Sequence, residues 1–195
     1  MKTAQVTLKI AGPMKRSTFQ QQSPDPIEEA VNDLLHWSWS TRLQIDRLTQ
    51  AVRAEFKAMG WRHGVKRRRR FSNTSYDEHI LLVAAANLDR AIRKVPKAIH
   101  REVTLPESPR RALWLLRNIY EHWDELGRLY RGGSGALRGA ALKLKTEFPK
   151  ADPWSFTIDP MTGEIVLADV IPLTPLAVEL KALETRTLRL ERKFR

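Results

Sequence analysis

Cysteine is absent from the 195 residues of this chain. Disulfides, thiol nucleophiles and thiolate metal sites are therefore excluded, and a reducing compartment is permitted. Long apolar runs are missing too. The longest, Ile80 to Ala86, is far short of the roughly 20 residues that cross a bilayer. Met1 to Pro13 holds only isolated apolar side chains, unlike a secretory signal. The expectation is a soluble, cytoplasmic protein with no membrane attachment. The histidines are scattered, with no pair at ligand spacing on one helix and no HExxH, so no metal site is expected. Gly132-Gly133-Ser134-Gly135 follows a helical pattern rather than a strand and lacks the lysine of a phosphate-binding loop. It reads as a helix terminator, and no cofactor is expected.

Acidic side chains are the minority, 22 Asp and Glu against 34 Lys and Arg. The resulting net charge of +12 and isoelectric point near 10.4 favour polyanions, with RNA or another nucleic acid the first partner to consider. The length suits one domain with a real core. The densest charge is Lys66-Arg67-Arg68-Arg69-Arg70. Five adjacent cations repel one another and stay solvated unless an anion lies against them, so this run is the candidate nucleic-acid-binding loop. Lys94, Lys97 and Arg101 are possible extensions of it.

Residues 1–25 read as an N-terminal extension: weak alternation at Val6, Leu8 and Ile10 matches a short strand, and Gln20 to Pro26 a flexible linker. Residues 26–195 are expected to form a single helical domain. A long first helix starts at Pro26, with Glu28 and Glu29 at its positive end, and runs toward Gly60 on Val31, Leu34, Leu35, Leu43, Ile45, Leu48, Val52 and Phe56. Trp37 and Trp39 widen that stripe as core or interface residues. Ser75 caps a second helix, Ser75 to Val95, with Glu78 completing a capping box. Ser108-Pro109 opens a third, running to about Tyr130, and Ala136 to Phe148 forms a short fourth. Within 150–173 the period changes to that of strands around Asp159-Pro160-Met161-Thr162-Gly163, a β-hairpin addition. A terminal helix follows over 175–192, with Leu176, Leu180, Leu183 and Leu190 on one side. The fold class is mainly α: an up-and-down bundle of four to five helices with a C-terminal β-hairpin and a final helix.

The third helix carries the chemistry. At about 100° per residue, Ala112, Leu116, Ile119, Tyr120, Trp123, Leu126 and Tyr130 form a buried stripe, and Arg117, Asn118, Glu121, Asp124, Glu125 and Arg128 lie on the other side. His122 sits at the stripe's edge, one turn from Asn118. A histidine near neutral pKa takes a proton from a ribose 2′-hydroxyl or hands one to a leaving oxygen. An arginine clamps phosphate and stabilises the pentacovalent charge, and an asparagine orients either group. An arginine followed directly by asparagine, with histidine five places on, is expected only about 0.02 times by chance in this composition. The competing structural reading is that Arg117 pairs with Glu121 at i+4 and His122 is hydrogen-bonded at a helix seam.

At Arg117-Asn118, three further residues and His122, on a late helix of a small bundle, the chain resembles the HEPN superfamily (higher eukaryote and prokaryote nucleotide-binding domains). The resemblance covers residues 27 to 150. It implies an up-and-down bundle that forms a homodimer, with the motif of each subunit meeting in a shared cleft and cutting RNA without a metal. It further implies a toxin or phage-defence role, often beside an antitoxin or other regulatory protein. Arg117 would then stabilise the phosphate, His122 transfer protons and Asn118 orient one of them. Non-catalytic members of such a family, acting as nucleic-acid-binding or protein-interaction domains, are the alternative.

Overall fold

A computed structural model describes residues 26–58, 67–68, 73–96, 103–121, 135–159 and 161–194. These comprise five helices and a small antiparallel sheet: α1 (Pro26–Ala58), β1 (Arg67–Arg68), α2 (Asn73–Lys94), α3 (Glu107–Glu121), α4 (Ala136–Glu147), β2 (Ser155–Ile158), β3 (Ile165–Leu167), β4 (Ile171–Pro172) and α5 (Leu173–Phe194). The predicted N-terminal extension lies outside the described residues.

α1 follows its sequence signals closely. Proline stands at the first helical position, acids in the first turn and Lys57 in the last. Ala30, Val31, Leu34, Ile45, Leu48 and Val52 are buried. Two polar residues interrupt that stripe, Ser38 and Thr41, and both are buried. Each donates its hydroxyl back to a carbonyl of its own helix, Ser38 to Leu35 (3.1 Å) and Thr41 to Trp37 (2.7 Å), so no polar group is stranded there. Leu43, expected on the buried stripe, is instead exposed, and so is Trp39, while Trp37 packs on the core.

Polar bonds at opposite ends set the helix directions. Lys94 reaches Asp33 (2.7 Å) and Thr74 donates to Glu55 (3.2 Å), so α1 and α2 run antiparallel. Arg110 lies against Asp89 (3.5 Å) and Tyr120 donates to Glu78 (2.5 Å), which makes α3 antiparallel to α2. Arg111 at the start of α3 pairs with Glu147 at the end of α4. The first four helices therefore alternate up and down. α5 then packs along α1, tied by Arg42 forking to Glu184 (2.9 and 3.3 Å). Its buried leucines, Leu176, Leu180, Leu183 and Leu190, belong to the same hydrophobic cluster as Leu34, Leu82 and Leu116.

Three details depart from the sequence reading. α2 begins at Asn73 rather than Ser75. Ser75 thus lies within the first turn, and Glu78 is turned into the core instead of reaching back to a cap. α5 begins at Leu173, two residues before Pro175, which is tolerated because the first-turn N–H groups have no intrahelical acceptor. Thr174 N–H is satisfied by the Glu164 carboxylate (2.9 Å).

The third departure is the sheet. The hairpin is present, with Phe156 opposite Leu167 and Ile158 opposite Ile165. It continues into β4 through a turn in which Val170 N–H donates to Leu167 O (3.1 Å) and Ala168 and Asp169 take φ values of 55° and 58°. Two successive left-handed residues make a type I′ turn, whose twist suits adjacent strands. At the other edge β2 is joined by β1, so part of the basic run is strand and not a free loop.

Candidate active site and basic strand

α3 is set by Pro106, whose carbonyl accepts from Arg110 N–H (3.4 Å), and by apolar residues that bury both flanks of one face. Ala112, Leu113, Leu115, Leu116 and Ile119 are all buried. Leu115 and Ile119 keep no exposed surface, and α3 packs against α2, α4 and β4. Leu113 joins a seam with Thr41, Leu88, Leu176 and Leu180, where α1, α2 and α5 converge.

Arg117 does not lie fully on the polar side, as its wheel position had implied. Its side chain retains 22 % of its exposure, and its Nε is buried without a hydrogen-bond partner. Its Nη2 pairs with Glu121 one turn on. That pairing is the structural reading of the motif arginine. A carboxylate at this position occupies one edge of the guanidinium, the edge a phosphate oxygen would use. Glu121 is exposed, so solvent screens its side of the pair and an incoming phosphate can compete for the guanidinium. Asn118 is half-buried on the other flank of α3. His122 lies outside the described residues, as do Asp124, Glu125 and Arg128.

Between Arg117 and Glu121 stands Tyr120, which organises this end of the helix. Its hydroxyl donates to Glu78, a carboxylate with no exposed surface, and its ring packs against Trp154 at 5.3 Å between centroids. Trp154 directly precedes β2. The Trp154 N–H is held by the Asp152 side chain (3.2 Å), and Ser155 Oγ donates to the Asp152 carbonyl (3.0 Å).

This local order links the described part of the basic run to the motif helix. In β1, Arg67 is registered opposite Phe156 and Arg68 opposite Ser155. The backbone of the basic run is thus fastened one residue from Trp154, and Trp154 touches the motif helix three residues beyond Arg117. Sequence alone separated these positions by about 50 residues. Lys66, Arg69, Arg70, Lys97 and Arg101 lie outside the described residues. Lys94, a suggested extension of the basic path, is instead taken up by Asp33, whose hydrogen bond raises the lysine's pKa.

The chain matches no family model, no curated protein and no solved structure. Its function is therefore read from side chains and their placement. Two groups on α3 escaped the sequence reading. Arg111 forks onto Glu147 through Nε (2.7 Å) and Nη2 (2.6 Å), and its guanidinium lies 4.7 Å over the Trp114 ring. The pair raises the arginine's pKa and lowers the glutamate's, in each case chiefly through the hydrogen bond between them. The i, i+3 spacing of Arg111 and Trp114 was the available signal. Glu78 was visible only as a helix-start residue. Among the described residues no cluster of three or more His, Asp or Glu side chains is arranged to hold a metal, and no helix is long and apolar enough to cross a membrane.

Proposed function

We propose that this chain is a HEPN-like, metal-independent endoribonuclease that cleaves RNA by general acid–base chemistry at a dimer cleft, in the manner of toxins and phage-defence effectors. The observation that carries the reading is the convergence of the basic strand and the motif helix through Trp154 and Tyr120. A cationic strand linked to the turn that carries a partly exposed arginine suits a phosphodiester backbone passing over the end of α3. The up-and-down arrangement of the first four helices is the scaffold the motif implies, and the charge of +12 supplies the attraction.

In this reaction His122 of one subunit removes the 2′-hydroxyl proton. The oxygen attacks the adjacent phosphorus, and His122 of the second subunit protonates the departing 5′-oxygen. The products are a 2′,3′-cyclic phosphate and a free 5′-hydroxyl, so protons and bonds balance without a metal. Arg117 leaves Glu121 for the equatorial phosphate oxygens as negative charge builds there.

A second reading rests on a specific observation. Arg117 is paired with Glu121 and its Nε is buried, as expected of a non-catalytic HEPN-like domain in which the motif arginine only braces its helix. Three variants separate the two. In chelator, the enzyme cuts RNA, and Arg117→Ala and His122→Ala each lose at least about 100-fold in rate, the scale of one acid–base or charge-stabilising group. Glu121→Gln, which releases the guanidinium, cuts as fast as the parent or faster. Absence of cleavage, or cleavage unaffected by both alanine variants, leaves the binding-domain reading standing and removes the enzyme.

A further inference from the structure

We propose that Arg111, held over Trp114 by Glu147, is a base-stacking shelf that positions single-stranded RNA along the line of α3 leading to Asn118. This rests on the ribonuclease reading above and names the subsite that would hold the substrate base. Three observations carry it. The Arg111 guanidinium lies over the indole at 4.7 Å and is fixed by two hydrogen bonds to Glu147. The guanidinium is therefore fixed in place, and its side chain still keeps 40 % of its exposure. A planar cation presented in this way is a preferred surface for an unpaired base, because every base offers a π-face and a guanidinium plane stacks on it.

The second observation is alignment. Asn118 lies seven residues beyond Arg111, two turns along the same line of α3 and about 10 Å away, with Trp114 between them. One short oligonucleotide can thus touch both the shelf and the motif. Third, the neighbouring helix supplies charge. α4 packs on α3, and its exposed Lys143 stands one turn before Glu147 beside the shelf. Lys143 is near enough to Glu147 to help hold its carboxyl below the usual glutamate range. A base on Arg111 with its phosphate toward Lys143 satisfies both stacking and charge. A duplex, whose bases are already stacked on each other, satisfies only the second.

The test uses the full chain and labelled 2′-O-methyl oligoadenylate and oligouridylate of about ten nucleotides, which lack the attacking hydroxyl and so survive the assay. Anisotropy is read at one fixed salt concentration. The parent binds the adenylate more tightly than the uridylate, because purines stack better. Arg111→Lys keeps the charge and an ion pair but loses the plane, so its affinity for adenylate falls roughly five- to tenfold, the low end for one lost stacking contact, while uridylate changes little. Should Arg111→Lys melt below the assay temperature, Glu147→Gln serves instead: it leaves the guanidinium but removes its fork, and the purine preference shrinks. If the parent binds and cuts RNA while these variants bind both oligonucleotides unchanged, the shelf is wrong and the ribonuclease stands. If the parent neither binds the oligonucleotides nor cuts RNA, both proposals fall.

Discussion

Glu78 shows what burial does to one side chain. A carboxylate without exposed surface is costly unless its oxygens are served, and the Tyr120 hydroxyl serves one of them at 2.5 Å. The bond also pins the last described turn of α3, the turn that carries Glu121 and leads to His122. Tyr120→Phe removes the donor but keeps the ring against Trp154. The expected loss is about 1–3 kcal/mol of folding free energy, read from urea denaturation. An unchanged midpoint would mean that Glu78 relies on other contacts. In the sequence this residue looked like half of a capping box, because Ser-x-x-Glu before an apolar run is the same pattern whether the glutamate turns outward or inward. Its partner is 42 residues away, and no local spacing reports that.

At the scale of the element, the β2–β3 turn was legible and the β3–β4 turn was not. Asp159 accepts from Met161 N–H (2.8 Å) and Thr162 N–H (2.9 Å), and Gly163 takes a φ of 68° and donates to the Asp159 carbonyl. Aspartate and glycine at such positions are recognised turn residues. Ala168 stands where such a turn favours glycine or asparagine, so Asp169 alone left a weak signal for a second tight turn. The left-handed conformation there is held by Thr157 Oγ1 donating to Asp169 (2.6 Å) and by burial of Ala168. The same turn gives a pH prediction. The backbone N–H groups of Thr162 and Met161 hold the Asp159 carboxyl below the usual aspartate range. A group with a lowered folded pKa contributes stability above its unfolded pKa and loses it as pH falls through the folded one. Protection of the Thr162 amide against hydrogen exchange should therefore fall in acid, below the usual aspartate range. Asp159→Asn keeps the accepting oxygen without the titration and should flatten that dependence. A parent and variant with the same acid profile would remove Asp159 as its cause.

For the whole molecule, the segment after residue 150 is structural and not an appendage. Phe156, Ile165, Leu167, Leu180 and Leu183 are buried in one cluster with the first four helices, and α5 covers a flank of α1. The strands also fasten the basic run. A chain ending at residue 150 should therefore lose cooperative melting and bind a hydrophobic dye, since the α1 surface under α5 would face water. A sharp thermal transition in that fragment would show that residues 26–150 hold a sufficient core alone. The motif resemblance covers only that shorter stretch, so the experiment also asks how much of this fold the motif needs.

The sequence by itself determined what depends on near neighbours along the chain. Helix lengths, the Pro26 start, the buried stripe of α3 and the Asp159 turn follow from period and turn chemistry, which act over a few residues. Its charge and lack of cysteine also bounded the chemistry. Tertiary structure alone decided that Arg67 and Arg68 pair with β2, that Glu78 turns inward to Tyr120 and that Arg111 takes Glu147 of α4 as its carboxylate. The reason is physical. A strand's partner, a buried charge's donor and an arginine's choice among several carboxylates depend on which surfaces meet, and segments far apart in the chain supply those surfaces.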